Sequence, residues 1–231
     1  MINKNAWMKE LVTKLSHIFG KRLLFAGLKG SYRRGEATDT SNIDVVAILD
    51  RLGLPDLASY RTVVSGMPEG EKACGFICGK EELRRWPKHE IFQLQQETEP
   101  FFGSLEGLLP LPRGEDIGES VRISAANLYH AVCNTYLYGD AGTREGSLNA
   151  FYKSAFFILQ LANYLRTGHY VSTKRKLLPL LNDREQRILA LSMKGQIAET
   201  EIESDVEDLF ERLIVWTGDI LKEFPGSKEN A

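Results

Sequence analysis

Gly30, Ser31 and Asp44 are the residues of this 231-residue chain best suited, by side chain and position, to handle an anion and a metal ion. They bound the stretch Gly-Ser-Tyr-Arg-Arg-Gly-Glu-Ala-Thr-Asp-Thr-Ser-Asn-Ile-Asp. Gly30 lets the backbone come close to an anionic group, and Ser31 offers a hydroxyl and an amide. A helix opening there would aim free N–H groups and its positive dipole end at a phosphate. Asp44 supplies an oxygen ligand for a divalent metal nearby. Apolar runs flank the stretch, Leu23 to Leu28 before it and Val45 to Leu49 after it, which predicts strand, turn with a short helix, and second strand.

Gly30-Ser31, then Arg34-Gly35, then Ser41-Asn42-Ile43-Asp44-Val45 resembles the signature of the polymerase-beta-type nucleotidyltransferases: Gly-Ser, Arg-Gly, and a few residues later Ser-Asp-Ile-Asp-Leu. In that family the paired acids stand two apart on one strand, on the same face, and hold divalent metal against a nucleoside triphosphate. Here Asn42 replaces the first acid, contributing an amide oxygen without charge. The resemblance implies Gly30, Ser31 and Arg34 at the nucleotide, with Asp44 and Asn42 as metal ligands and catalytic residues. The implied cofactor is Mg2+ and the implied nucleotide is ATP.

The surrounding elements have to position that stretch. Trp7, Leu11, Leu15 and Ile18 predict a helical face, with Gly20 stopping the helix before the first strand. Leu54-Pro55-Asp56 reads as a helix start with Leu57, Tyr60 and Val64 buried, ending at Gly66, and Met67 to Gly70 as a turn. Lys72 to Gly79 predicts the next strand, where the family places a third carboxylate as metal ligand or base. Ala73 to Cys78 contains none. Glu69, Glu71, Glu81, Glu82, Glu90 and Glu97 stand around it and read as solvated surface charges. Trp86 to Gln95 and Pro100 to Leu105 read as a further strand and a linker into Leu109-Pro110-Leu111-Pro112. This order of parts is similar to the streptomycin and spectinomycin adenylyltransferases.

From Glu115 onward the pattern is helical. Ile117, Val121, Ala125, Leu128 and Val132 mark one helix, ended by Gly139 to Gly142. Leu148, Phe151, Tyr152, Ala155, Phe156, Leu159, Ala162 and Leu165 mark a second, broad-faced helix closed by Gly168. Ile188 to Leu191 and Val206 to Leu221 add two more, the last carrying Leu209, Leu213, Trp216 and Ile220 in register. Thr167-Gly168 followed by Lys174 matches a Thr-Gly and Ser-Lys or Pro-Lys arrangement in the adenylyltransferases, which implies that Lys174 faces the nucleotide phosphates.

With 43% hydrophobic residues the chain can bury substantial cores, and a net charge of -2 gives no footprint for general nucleic-acid binding. Cys74, Cys78 and Cys133 show no ligand spacing and read as buried thiols in a reducing compartment. His17, His89, His130 and His169 are scattered. The absence of a signal-like or membrane-length apolar run makes a soluble cytoplasmic protein the expectation, with no membrane partner. The expected fold is α+β: a nucleotidyltransferase domain over 1–113, a mixed β-sheet flanked by helices, then an all-helical bundle over 114–231, with a nucleotide cleft between them. The expected reaction transfers a nucleoside monophosphate from a triphosphate to a hydroxyl of a small, aminoglycoside-like acceptor. The alternative is a catalytically impaired homologue that binds nucleotide or acts as a regulatory partner, and a homodimer is an open expectation for either.

Overall fold

The two apolar runs around the Gly30 turn become the middle of a sheet. In the computed structural model, which describes residues 2–110, 112–193 and 205–225, β1 (Leu23–Lys29) and β2 (Ile43–Leu49) pair antiparallel. β3 (Ala73–Gly79) runs parallel to β2 at one edge, and β4 (Glu99–Phe102) runs antiparallel to β1 at the other, in the order β3-β2-β1-β4. Leu111 and the side chain of His89 lie outside the described residues.

Strand alternation divides the apolar side chains between two faces. Ile43, Val45 and Leu49 join Trp7, Met8, Leu11 and Leu15 of α1 (Lys4–Phe19) and Val63 of α3 (Leu54–Ser65). Each of these larger side chains contributes about 2 kcal/mol by leaving water. Val46 and Ile48 join Phe25, Cys78, Leu83 of α4 (Lys80–Arg84) and Ile91 of α5 (Lys88–Glu97) on the other face. Gly20 does stop α1, at a φ of 53°. Ile18, however, is 47% exposed, and its neighbour Phe19 takes the buried place. In α3 Tyr60 and Val64 pack partly buried against the core that holds α1, beside the buried Val63, whereas Leu57 is exposed.

Trp86 to Gln95 is a correction: Lys88–Glu97 is helical, and the strand comes after it. Ile91 and Leu94 are one helical turn apart and both pack on the sheet. Pro87 stands at the N-cap and Glu90 in the first turn, so a helix start was present there under an aromatic, strand-like composition.

The chain divides into two compact units, Met1–Pro112 and Arg113–Ala231. The second contains α6 (Gly114–Tyr138), α7 (Ala141–Thr167), the short α8 (Lys174–Leu177), α9 (Asp183–Leu191) and α10 (Val206–Glu223). The stripes of α6 and α10 are buried as their spacing requires. Asp140 caps α7, its carboxylate accepting from the Thr143 N–H at 2.7 Å, and Gly168 closes that helix at a φ of 73°. No described helix is long and apolar enough to cross a membrane.

Candidate functional site

Gly30 to Glu36 folds as a single helical turn, α2 (Gly30–Arg34), closed on both sides by geometry that its sequence dictates. Gly35 sits at a φ of 73°, where a Cβ is disfavoured; its N–H donates to the Tyr32 carbonyl and the Glu36 N–H to the Ser31 carbonyl. That pair of bonds is a Schellman closure. At the other end Gly30 has a φ of 72°, and a Cβ there would run into Oδ2 of Asp44. The glycine is what lets the turn lie against the carboxylate. Lys29 at the N-cap makes no side-chain cap, so the first-turn N–H groups are not engaged by it. With five residues, α2 has too little length for a developed macrodipole, and anion binding here would fall to individual amides and the Ser31 hydroxyl.

Arg34 holds the turn from below. Its Nε donates to Glu36 at 2.9 Å and a terminal nitrogen to Glu97 at 3.2 Å, with the Arg34 and Glu97 side chains only 7% and 8% exposed. Arg33 adds a bond to the Gln96 carbonyl at 2.9 Å. Glu97 is therefore not a solvated surface charge: it is a buried counter-ion 63 residues away that ties α2 to the end of α5. Sequence spacing could not show this, because the pairing is tertiary.

Asp44 lies on β2, half-buried, in a cross-strand row. Lys29 is its register partner on β1 and Cys74 its partner on β3. Directly paired residues share a sheet face, so the row is cation, carboxylate, thiol. The Cys74 thiol donates to Oδ1 of Asp44 at 3.2 Å, and Cys74 is exposed, which corrects its reading as a buried thiol. Cys78, four register pairs further along, is buried, and burial together with the nearby Glu82 pushes its thiol up to about 12. The signal for Cys74 was the period-two spacing of 74, 76 and 78 against 44, 46 and 48, which becomes informative only with the parallel register.

Asn42 is exposed and precedes β2, so the alternation that would align it with Asp44 begins only at Ile43. Ser41 closes the preceding turn, its hydroxyl accepting from the Thr38 N–H at 2.8 Å. Lys174, in the helical unit, donates to the Ser192 carbonyl and has its ammonium 5.5 Å from the centre of the Phe156 ring. Among the described residues no group of three or more His, Cys, Asp and Glu is placed to hold a metal ion.

The donor set decides what metal chemistry this chain can support. One carboxylate with a neutral amide nearby does not make a protein-only magnesium clamp, nor the symmetric clamp of a two-metal site. It fits one ion carried in on a triphosphate, with Asp44 as the charged ligand and Asn42 as the candidate neutral one. A hollow of about 120 Å3 beside Cys74, walled by Tyr60, Val64 and Ala73 to Ile77, is smaller than the roughly 300 Å3 at the low end of ligand pockets. A larger hollow of about 450 Å3, between α9 and α10 of the helical unit, includes none of the signature residues.

No protein-family model and no curated protein matches the sequence. Among solved structures, the chain is similar to a spectinomycin adenyltransferase from Enterococcus solved with ATP and spectinomycin, with a TM-score of 0.59 and 13% sequence identity. The match covers 93% of this chain and 99% of that one. A mixed four-stranded sheet with flanking helices, followed by a helical region and matched along nearly the whole of both chains, gives this protein a nucleotidyltransferase-like fold.

Proposed function

We propose that the protein binds a nucleoside triphosphate, ATP by preference, at the Gly30 turn and transfers its nucleoside monophosphate to a hydroxyl of a small, aminoglycoside-like acceptor. The observation that carries this reading is the contact between turn and strand, where Gly30 leaves no room for a side chain beside the Asp44 carboxylate. Amides and the Ser31 hydroxyl would hold the terminal phosphates, while Asp44, with Asn42, would meet a magnesium ion arriving with them. Bound there, magnesium would offset charge on the reacting phosphates. Arg34 enters as a support of the turn, and Lys174 as a residue of the helical unit whose ammonium is already engaged. The likeness to an ATP-using adenyltransferase supports the choice of nucleotide and of acceptor class.

A second reading is binding without turnover. It is favoured by the row Lys29, Asp44, Cys74, where the strand beside Asp44 offers a thiol and no second carboxylate. Calorimetric titration with a non-hydrolysable ATP analogue, with and without magnesium, tests both readings. Magnesium-dependent binding that disappears in Asp44→Ala, with pyrophosphate release in an acceptor screen, is the outcome expected for a transferase. Binding indifferent to magnesium and to the variant selects the second reading, and no binding removes both.

A further inference from the structure

The groove between α9 and α10 sorts its charges by helix. Arg184 and Arg187 stand three residues apart on α9, and Asp208 and Glu211 three apart on α10, so each pair shares one helix face along the hollow of about 450 Å3. Val215, 40% exposed, follows Glu211 by about one turn and gives the groove an apolar patch. Two of these four charges are used inside the chain: Arg184 pairs with Asp219, and Asp208 accepts from Nε of Arg212 at 2.7 Å. The other two, Arg187 and Glu211, are exposed and have no ion-pair partner among the described residues. Opposite charges that line one hollow without meeting each other are placed to meet those of something else.

We propose that this groove is the interface of a homodimer, in which a two-fold axis lays α9 of each copy along α10 of the other. A two-fold axis presents one patch to itself. A patch of one sign would repel its copy, whereas a patch split into a basic and an acidic wall is its own complement. Arg187 of each copy then meets Glu211 of the other, and the axis makes the pair twice. The same split argues against a small anion, which would meet Asp208 and Glu211 as well as the three arginines of the groove. Exposed ion pairs around one apolar patch contribute modestly, so the dimer is weak and loosens as salt rises. This inference stands apart from the nucleotide reading, since none of its residues belongs to the Gly30 turn or to the Asp44 row.

Sedimentation equilibrium of the whole purified chain over a concentration series should show monomer and dimer in exchange, with monomer favoured at high salt. Arg187→Glu and Glu211→Arg should each weaken the dimer by about tenfold or more, because the axis turns two attractions into two repulsions. Both positions are exposed, so the variants are expected to keep the parental melting temperature. Mixed in equal amounts, the two variants should dimerise to within about threefold of the parent, because each carries the charge that the other lacks at both pairs. Rescue on mixing arises only between copies; a charge that mattered within its own chain would not give it. A chain that stays monomeric throughout, a dimer indifferent to both variants, or a mixture without rescue overturns the proposal. A monomer that binds inorganic pyrophosphate, and loses it in Arg187→Glu, also overturns it and gives the groove to a small anion.

Discussion

The two halves of the Gly30 to Asp44 stretch are built to different standards. The turn is over-determined: a glycine at each end, a double carbonyl closure, and a buried arginine held between two carboxylates, Glu36 and the buried Glu97. The row at Asp44 is thin, with one carboxylate, one exposed thiol and a neutral amide still in the loop. A motif read along the chain treats all of its letters alike. In the folded protein Arg34 and Gly35 make the backbone take its path, while Gly30 and Asp44 form the surface where chemistry would occur. Agreement with a signature can thus be agreement with its architecture, and the charge needed for catalysis has to be counted separately.

The largest expected effect comes from the over-determined half. Arg34→Ala takes from the buried Glu97 its nearer cation and leaves it Arg33 at 3.7 Å, so the loss should approach, from below, the roughly 3–5 kcal/mol of a buried pair broken by removing one partner. Urea unfolding of the variant should show that loss, with the midpoint shifted and the slope unchanged. Arg34→Lys should recover only part of it, since an ammonium cannot reproduce the fork that reaches Glu36 and Glu97 together. A variant with parental stability would mean that the turn does not depend on this clamp.

A smaller effect measures how closely the two halves are joined. Gly30→Ala should cost about 2 kcal/mol, part from the positive φ and part from the clash with Asp44 Oδ2. In an Asp44→Ala background the contacts with the carboxylate go and only the Cβ of residue 44, at 3.2 Å, stays close, so mainly the backbone part, about 1 kcal/mol, should remain. The double-mutant cycle therefore predicts a coupling of about 1 kcal/mol between turn and strand. Strict additivity would show that the carboxylate moves aside freely and that the contact does not preorganise the site.

Much of the scaffold was legible because it repeats a local rule. The flanking strands announced themselves as apolar runs around glycines, and the stripes of α6 and α10 followed helical spacing through to burial. Errors arose where two periods fit, as in Lys88–Glu97, whose aromatic and branched residues suit a strand while Ile91 and Leu94 suit a helix. The remaining misses share a different cause. Glu97 looked like surface because a lone glutamate is usually solvated, and the tertiary pairing with Arg33 and Arg34 makes it otherwise. Cys74 looked inert because cysteines are usually buried, and only the pairing of β2 with β3 puts it against Asp44.

Lys174 gives the finest test of the division between architecture and chemistry. The resemblance of its place after Thr167-Gly168 would set it against phosphate, yet its ammonium donates to the Ser192 carbonyl and lies near the Phe156 ring inside the helical unit. A cation–π contact and one hydrogen bond of this kind are worth about 1 kcal/mol together. Lys174→Ala should therefore lower stability to denaturant by about that amount, and leave affinity for the ATP analogue within about twofold of the parent. Lys174→Arg keeps the charge but changes its geometry, so it separates the two roles. If the lysine serves phosphate, the arginine variant binds the analogue nearly as well as the parent and the alanine variant binds it about tenfold more weakly. If it serves the scaffold, both variants bind alike and only their stabilities differ, because a cation that already closes a helical unit has little left to offer a ligand.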